Sequence, residues 1–486
     1  MPQSDPSKAA ANPELQVKKV SWLELFFDTI FALALAMSAK SLEHVNDLSR
    51  SSWLALGEFI LIFIFLITFW YRHMVLVNRF DYVSFSNSLM TLFIGFIVIG
   101  LTQFIRIWRI DAPLGSYLAT ISMALGVFSL AALYFYYSKK ITIGGENEKK
   151  WAGFSAKHMA LEASGYLAIW FVLALGWISP TVVPFMLIIV YIYFNRYPFE
   201  TYFNPKKQTT LPPELVNIPP ENKTHKTERI GLFCILVFGL VIVLAATPLF
   251  QMNSFSTVED VLNPVIIFGK IFLLISILWY LYFRSFELAE PKGNQFTIMT
   301  FINLGLLVGI VHFMRIMFIK PSNFVAIIFA IFLALFMSVT ATVFWNMKSL
   351  AGVSPSPNLL IAFKQWAYIL YAVATAFFVS IIFQSPVRDI IWQVVLGILI
   401  IALIIERRLK KTYYMGKTFK KNVKFMDYQT ITGITLVVIG FIVFIVITSL
   451  LGKPIASMWI LTWAIPLVVG FFTILNHWLH TRIKPN

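Results

Sequence analysis

The chain has 486 residues, of which 58% are hydrophobic and only 13% charged. A soluble domain carries about 25% charge, so this composition excludes an ordinary soluble protein. The net charge of +16 invites a nucleic-acid reading, but the placement of the basic residues along the chain excludes it, as set out below.

Fourteen apolar runs of about 20 residues follow one another, each long enough to cross about 30 Å of hydrocarbon as a helix. They are continuous rather than alternating, which excludes a β-barrel. A polar tail over 1–20 comes first, with no cleavable signal pattern. The predicted spans are then 21–42, 53–72, 86–107, 115–138, 158–178 and 180–197, which form a first six-helix repeat over 21–197. Only Ser179-Pro180 separates the last two, which predicts a tight helical hairpin. The segment 139–157 reads as a polar loop, and 198–228 as a linker extended by Leu211-Pro212-Pro213 and Ile218-Pro219-Pro220. Spans at 229–250, 263–285, 297–318, 323–346, 358–383 and 387–406 form a second six-helix repeat over 229–406. A basic linker, 407–429, leads to an appended hairpin of spans 430–451 and 456–479 and a C-terminal tail, within 430–486. The predicted fold class is therefore all-α: a polytopic transmembrane bundle of about 14 helices, two parallel six-helix repeats plus a C-terminal hairpin.

With the N-terminus set inside, 29 of the 39 Lys and Arg fall in the tails and inside-facing loops, against seven in the outside loops. This bias is the positive-inside rule, and it predicts that both termini are cytoplasmic. The basic excess is topology, plus attraction to anionic lipid at the cytoplasmic face. The only cysteine, Cys234, lies inside a span, which excludes a disulfide framework and a paired redox site. A bacterial plasma membrane fits such a chain best.

The two halves repeat in sequence. Met90, Thr91, Gly100, Phe104, Arg106 and Ile107 recur as Met299, Thr300, Gly309, Phe313, Arg315 and Ile316. Gly57-Glu58, Leu61, Leu66 and Arg72 match Gly269-Lys270, Leu273, Leu278 and Arg284, and Leu25-Phe26 matches Leu232-Phe233. Six spans return the chain to the same side, so the halves share one orientation about an axis along the membrane normal. Such duplicated bundles commonly carry a path or site on that axis.

Two constellations carry candidate chemistry. In Ser21-Trp22-Leu23-Glu24-Leu25-Phe26-Phe27-Asp28, Ser21 and Glu24 have the spacing of a capping box. Asp28 lies one turn deeper, beyond the reach of capping, and a carboxylate within a span is costly. It reads either as functional or as a lock with Arg72 or Arg79; Glu24, Asp28, Arg72, Arg79 and Asp81 together form a candidate inner gate. The second constellation comes from the repeat: Glu58 with Lys270, Gln103 with His312 and Arg106 with Arg315, all toward the outer end. If their spans line the axis, these six surround one cavity for a substrate or a gate, with Glu58 and Lys270 as an ion pair. The alternative for Arg106 and Arg315 is snorkelling to the interface. Glu162 and His158, like Lys364 and Gln365, read as interface residues. His477 and His480 lack further ligands, so no metal site and no cofactor are expected.

The segment VSWLELFFDTIFALALA resembles the opening signature of the bacterial low temperature requirement A membrane proteins. Further similarities follow in order: Asn78-Arg79-Phe80-Asp81; Thr227-Glu228-Arg229-Ile230-Gly231-Leu232-Phe233, similar to an ER-aromatic-GL segment; and Trp279-Tyr280-Leu281-Tyr282-Phe283. The resemblance covers roughly 20–405. Where that family often has Gly-Glu-Ser at mid-helix, this chain has Gly239-Leu240-Val241. A fainter similarity is to potassium channels built from two six-helix repeats that each open with Phe-Ser-Asp; here Phe27 replaces the serine of the first motif. The low temperature requirement resemblance implies an integral membrane protein with a role in cold or stress tolerance.

No catalytic triad, P-loop, H-E-x-x-H or Gly-rich nucleotide turn is present, so no enzymatic activity is expected. The sequence favours a secondary transporter or channel for an ion or small solute, with an anion favoured by the surplus positive charge. A membrane-embedded lipid-handling protein or enzyme, or a membrane scaffold, stays open as the alternative. Expected partners are the bilayer, anionic lipids and the solute, with no nucleic acid. Both a monomer and a homodimer fit.

Overall fold

The computed structural model describes residues 20–80, 85–107, 113–140, 146–203, 222–251, 258–288, 294–319, 322–345, 357–382, 388 and 390–400. They form helices joined by short connections, with no strand among the described residues. In chain order these are α1 (Trp22–Ser38), a 3-10 turn (Ala39–His44), α2 (Arg50–Arg79), α3 (Phe85–Ile107), α4 (Pro113–Lys140), α5 (Glu146–Ala174) and α6 (Val183–Phe203). There follow α7 (Lys223–Gln251), α8 (Val258–Leu288), α9 (Asn294–Ile319), α10 (Asn323–Trp345) and α11 (Pro357–Ser380), and then α12 (Ile390–Ile400). The predicted spans 430–451 and 456–479 lie outside the described residues.

Seven helical segments among the described residues are long and apolar enough to cross a membrane: α1 with its 3-10 extension, α2, α4, α7, α8, α9 and α10. Shorter apolar stretches occur in α3, α6, α11 and α12. The exception is α5, whose first half carries Glu146, Glu148, Lys149, Lys150 and Lys157, with Glu162 just beyond. The polar segment predicted as a loop over 139–157 is therefore helical from Glu146 onward. Similarly α2 outruns its predicted end at 72 and continues to Arg79. For α2, neighbouring elements supply partners for side chains that hydropathy alone counts against a span.

Large apolar side chains face outward along these helices, among them Ile64, Phe96, Phe171, Ile189 and Phe272. Water would not tolerate such a continuous surface, whereas lipid does. Trp22 is 86% exposed at the start of α1 and Trp177 is 74% exposed just beyond α5, the positions at which aromatic side chains meet headgroups. The protein is a multi-pass integral membrane protein.

Residues up to Leu360 form one compact unit, and Ile361 onward a second. Within the first, α1 packs against α2, α3 and α7, while α9 packs against α2, α7, α8 and α10. One face of this unit is marked by Ser322 Oγ donating to the Asn46 carbonyl (3.0 Å) and by Trp53 edge-on to Phe324. On that face Ser49 caps α2, and hydrogen bonds from the Ser49 hydroxyl and N–H, with one from Ser52, hold the Asp47 carboxyl below its ordinary range. In the second unit Trp392 Nε1 donates to Ser380 Oγ (2.7 Å).

The predicted α5–α6 hairpin is present. Leu175, Gly176 and Trp177 donate back to Phe171, Leu173 and Val172, and Gly176 takes φ +72°. That left-handed residue ends α5 in the manner of a Schellman cap. A 3-10 turn, Pro180–Val182, then leads into α6.

Glycines let α9 sit close to its neighbours. A Cβ at Gly305 would come 2.9 Å from the Phe63 ring of α2, and one at Gly309 would fall on the Phe332 ring of α10. Small residues at such contacts are what membrane helices use in place of a hydrophobic driving force. Gly309→Ala is therefore expected to destabilise the bundle by about 1–3 kcal/mol. Gly239→Ala, where a Cβ meets nothing within 4 Å, should be neutral or slightly stabilising. Thermal unfolding of the two variants in one detergent checks the contrast; equal midpoints would refute the close contact.

Candidate functional site

The first turns of α1 carry two carboxylates into the bundle. Ser21 caps the helix: its N–H donates to Glu24 Oε2 at 2.7 Å, and its Oγ accepts from the Glu24 N–H at 3.3 Å. The predicted capping box is thus formed. It uses only one oxygen of Glu24. The other, Oε1, faces Arg229 Nη1 at 3.4 Å and His225 Nε2 at 3.5 Å.

One turn further in, Asp28 is completely buried. A buried carboxylate persists only when paired and hydrogen-bonded. Arg229 of α7 supplies the pair: Nη2 lies 2.5 Å from Asp28 Oδ1 and Nε lies 3.3 Å from Oδ2. This fork matches the carboxylate plane as only arginine can. Trp70 of α2 adds a third bond, Nε1 to Oδ1 at 2.7 Å, and its indole stacks on Phe233 at 4.0 Å. The guanidinium also lies 5.9 Å from the Trp70 ring centroid.

The start of α7 is fixed by the end of α2. Asn222 caps α7 through Oδ1 to the His225 N–H (3.1 Å). Asn78 holds Asn222 at both ends, accepting its N–H at 2.8 Å and donating to its carbonyl at 3.0 Å, and reaches His225 Nδ1 at 3.2 Å. Lys226 Nζ donates to the Tyr71 hydroxyl at 2.9 Å. These bonds set the axial position of Arg229 against Asp28.

The inner-gate residues predicted from sequence are therefore only partly brought together. Glu24 and Asp28 share one cluster, but neither Arg72 nor Arg79 is their partner. Arg72 pairs with Glu162 of α5 at 2.8 Å, and Glu162 also accepts from the Tyr166 hydroxyl at 2.9 Å. Arg79 lies over the Trp151 ring at 4.8 Å. Asp81 lies outside the described residues. The cation that locks Asp28 is Arg229, which stands in sequence at the edge of the basic linker. Its signal is the segment Glu228-Arg229-Ile230-Gly231-Leu232, in which an arginine opens a span.

At the other end of α1 lies a hollow of about 170 Å³ between α1, its 3-10 extension, α7 and α9. Lys40, His312 and Arg315 supply its polar wall, and Val241, Leu244 and Val311 are among its apolar lining. His312 is 9% exposed, and its Nε2 meets no hydrogen-bond partner among the described residues. Arg315 Nη2 donates to Glu43 Oε1 at 2.6 Å.

Of the six residues predicted around an outer cavity, His312 and Arg315 line this hollow. Glu58 is buried on α2 with Oε1 lacking a hydrogen bond, while Lys270 is exposed on α8 with its ammonium 5.7 Å from the Phe318 ring centroid. Among the described residues these two form no ion pair: Glu58 is buried in the bundle, whereas Lys270 is exposed. Gln103 and Arg106 lie in α3, and their side chains lie outside the described residues.

A helical membrane bundle with a buried carboxylate–arginine cluster joining α1 to α7 is the class that fold and site define. The family model described as bacterial low temperature requirement A protein (LtrA) matches residues 19–319, and the chain belongs to that family. The match includes both the α1 carboxylates and Arg229. No curated protein matches the chain.

Proposed function

We propose that the protein is a secondary transporter or channel for an ion or small solute, working along the α1–α7 contact and catalysing no covalent chemistry. The observation that carries this reading is that one helix pair contributes both to the ion lock and to the hollow. Asp28 and Lys40 are twelve residues apart along α1 and its 3-10 extension, or roughly 18 Å. Arg229 and Val241 have the same separation on α7. A path closed at the lock and hollowed at the other end is the arrangement that alternating access requires.

The internal repeat supports the reading, since α1 and α7 are counterparts in the two halves and they pack together. The positive-inside bias puts the lock, and both termini, on the cytoplasmic side of a plasma membrane. Anionic lipid would be attracted to that face, and the family name ties the activity to cold or stress tolerance. A homodimer is compatible with a complete path in each protomer.

Flux of protons, alkali cations and small anions into proteoliposomes tests this. Wild-type protein is expected to carry at least one of them above protein-free vesicles, and Asp28→Asn to bring that flux to background. A scaffold would carry none from folded protein, and Asp28→Asn would leave its partner binding intact.

A further inference from the structure

We propose that the hollow between α1, α7 and α9 is a binding site for a small carboxylate anion with a short aliphatic chain. The inference rests on the transport reading only for the purpose of the site, not for its existence. Three observations carry it. First, the polar wall is cationic or donor-bearing: Arg315 and Lys40 both act on His312, and the buried His312 Nε2 lacks a hydrogen-bond partner among the described residues. A basic, partly desolvated wall with an unsatisfied nitrogen calls for a hydrogen-bond partner from outside, which a carboxylate oxygen supplies when the His312 proton is on Nε2.

Second, Arg315 already holds a carboxylate. Glu43 occupies one guanidinium nitrogen at 2.6 Å, while Arg315 Nε has no hydrogen bond among the described residues. Glu43 is 45% exposed on a 3-10 turn, where solvent competes for its charge-assisted bond. An incoming carboxylate can take the full fork, displacing Glu43 as a latch. Third, the rest of the wall is aliphatic, including Val241, Leu244 and Val311. A halide or phosphate has no use for that surface, whereas a short alkyl chain does. The volume of about 170 Å³ equals roughly five or six waters, which limits the chain to a few carbons.

Calorimetric titration of the full chain in detergent, using butyrate, acetate, chloride, phosphate and dodecanoate, tests the site. Butyrate should saturate one site and bind more tightly than acetate, chloride or phosphate. Arg315→Gln should abolish the saturable heat. Glu43→Gln should tighten butyrate about tenfold by releasing the fork, an effect that misfolding cannot imitate. Chloride or phosphate binding as well as butyrate, dodecanoate binding more tightly, or Glu43→Gln leaving affinity unchanged would each overturn the assignment. The two readings fail separately. Butyrate binding without flux of any solute keeps the site and removes transport; flux without butyrate binding keeps transport and removes the site.

Discussion

Arg229→Gln is expected to lower the stability of the bundle by about 3–5 kcal/mol, because it leaves Asp28 buried with Trp70 as its one remaining hydrogen-bond partner among the described residues and strips Glu24 of its guanidinium. Breaking a buried pair costs more than the pair contributes, since the surviving charge stays out of water. Asp28→Asn should cost less, as Arg229 then keeps Glu24 and the neutral amide still accepts a bond from Trp70. The Asp28→Asn/Arg229→Gln double variant should lose less than the sum of the two singles, the signature of residues in one network. Thermal or denaturant unfolding in a single detergent measures all three. Additive losses would show that the two side chains do not depend on one another.

The second large effect is at Trp70. This indole is fully buried, stacked on Phe233 and edge-on to Phe301 at 5.9 Å while it donates to Asp28. Trp70→Ala should cost about 3–5 kcal/mol through the cavity it opens between α2 and α7. In lipid this loss is one of packing, since the surrounding hydrocarbon offers no hydrophobic return. Trp70→Phe keeps most of the stacking and removes the N–H, so it isolates the bond to a charged acceptor at about 1.5–3 kcal/mol. If Trp70→Phe matched wild type, the indole N–H would be dispensable to the lock.

The helical membrane character was legible because hydrocarbon demands long apolar runs, and the described helices occupy the predicted spans apart from their ends. The errors at the ends have one cause. Arg72, His73, Asn78 and Arg79 extend α2 beyond its apolar run because Glu162, Thr91, Asn222 and Trp151 receive them. Glu162, within the predicted span of α5, is held by the same Arg72. Hydropathy scores a side chain alone and cannot credit a partner 90 or 144 residues away.

The same reasoning divides the site. Asp28 was visible because a carboxylate inside an apolar run has to be explained. Arg229 was not, because it follows Lys223 and Lys226 at the edge of a basic linker, where topology accounts for it without a partner. Its pairing spans 201 residues and depends on the tertiary contact of α1 with α7. Glu58 and Lys270 show the opposite failure. Matching the two sequence segments compares positions along each helix, but the rotation of each helix decides which way a side chain points, and Lys270 is exposed.

The transport proposal makes lock and hollow two ends of one path that open alternately. The most direct test is sided labelling of Ala245→Cys, a lining position of the hollow, by a membrane-impermeant thiosulfonate in oriented proteoliposomes. The native Cys234 is fully buried against the Tyr282 hydroxyl, so the background should be silent. Labelling is expected from the face bearing Glu43 alone, and Asp28→Asn should add labelling from the face bearing Ser21. Equal labelling from both faces in the parent, or no change in sidedness once the lock is neutralised, would contradict the claim.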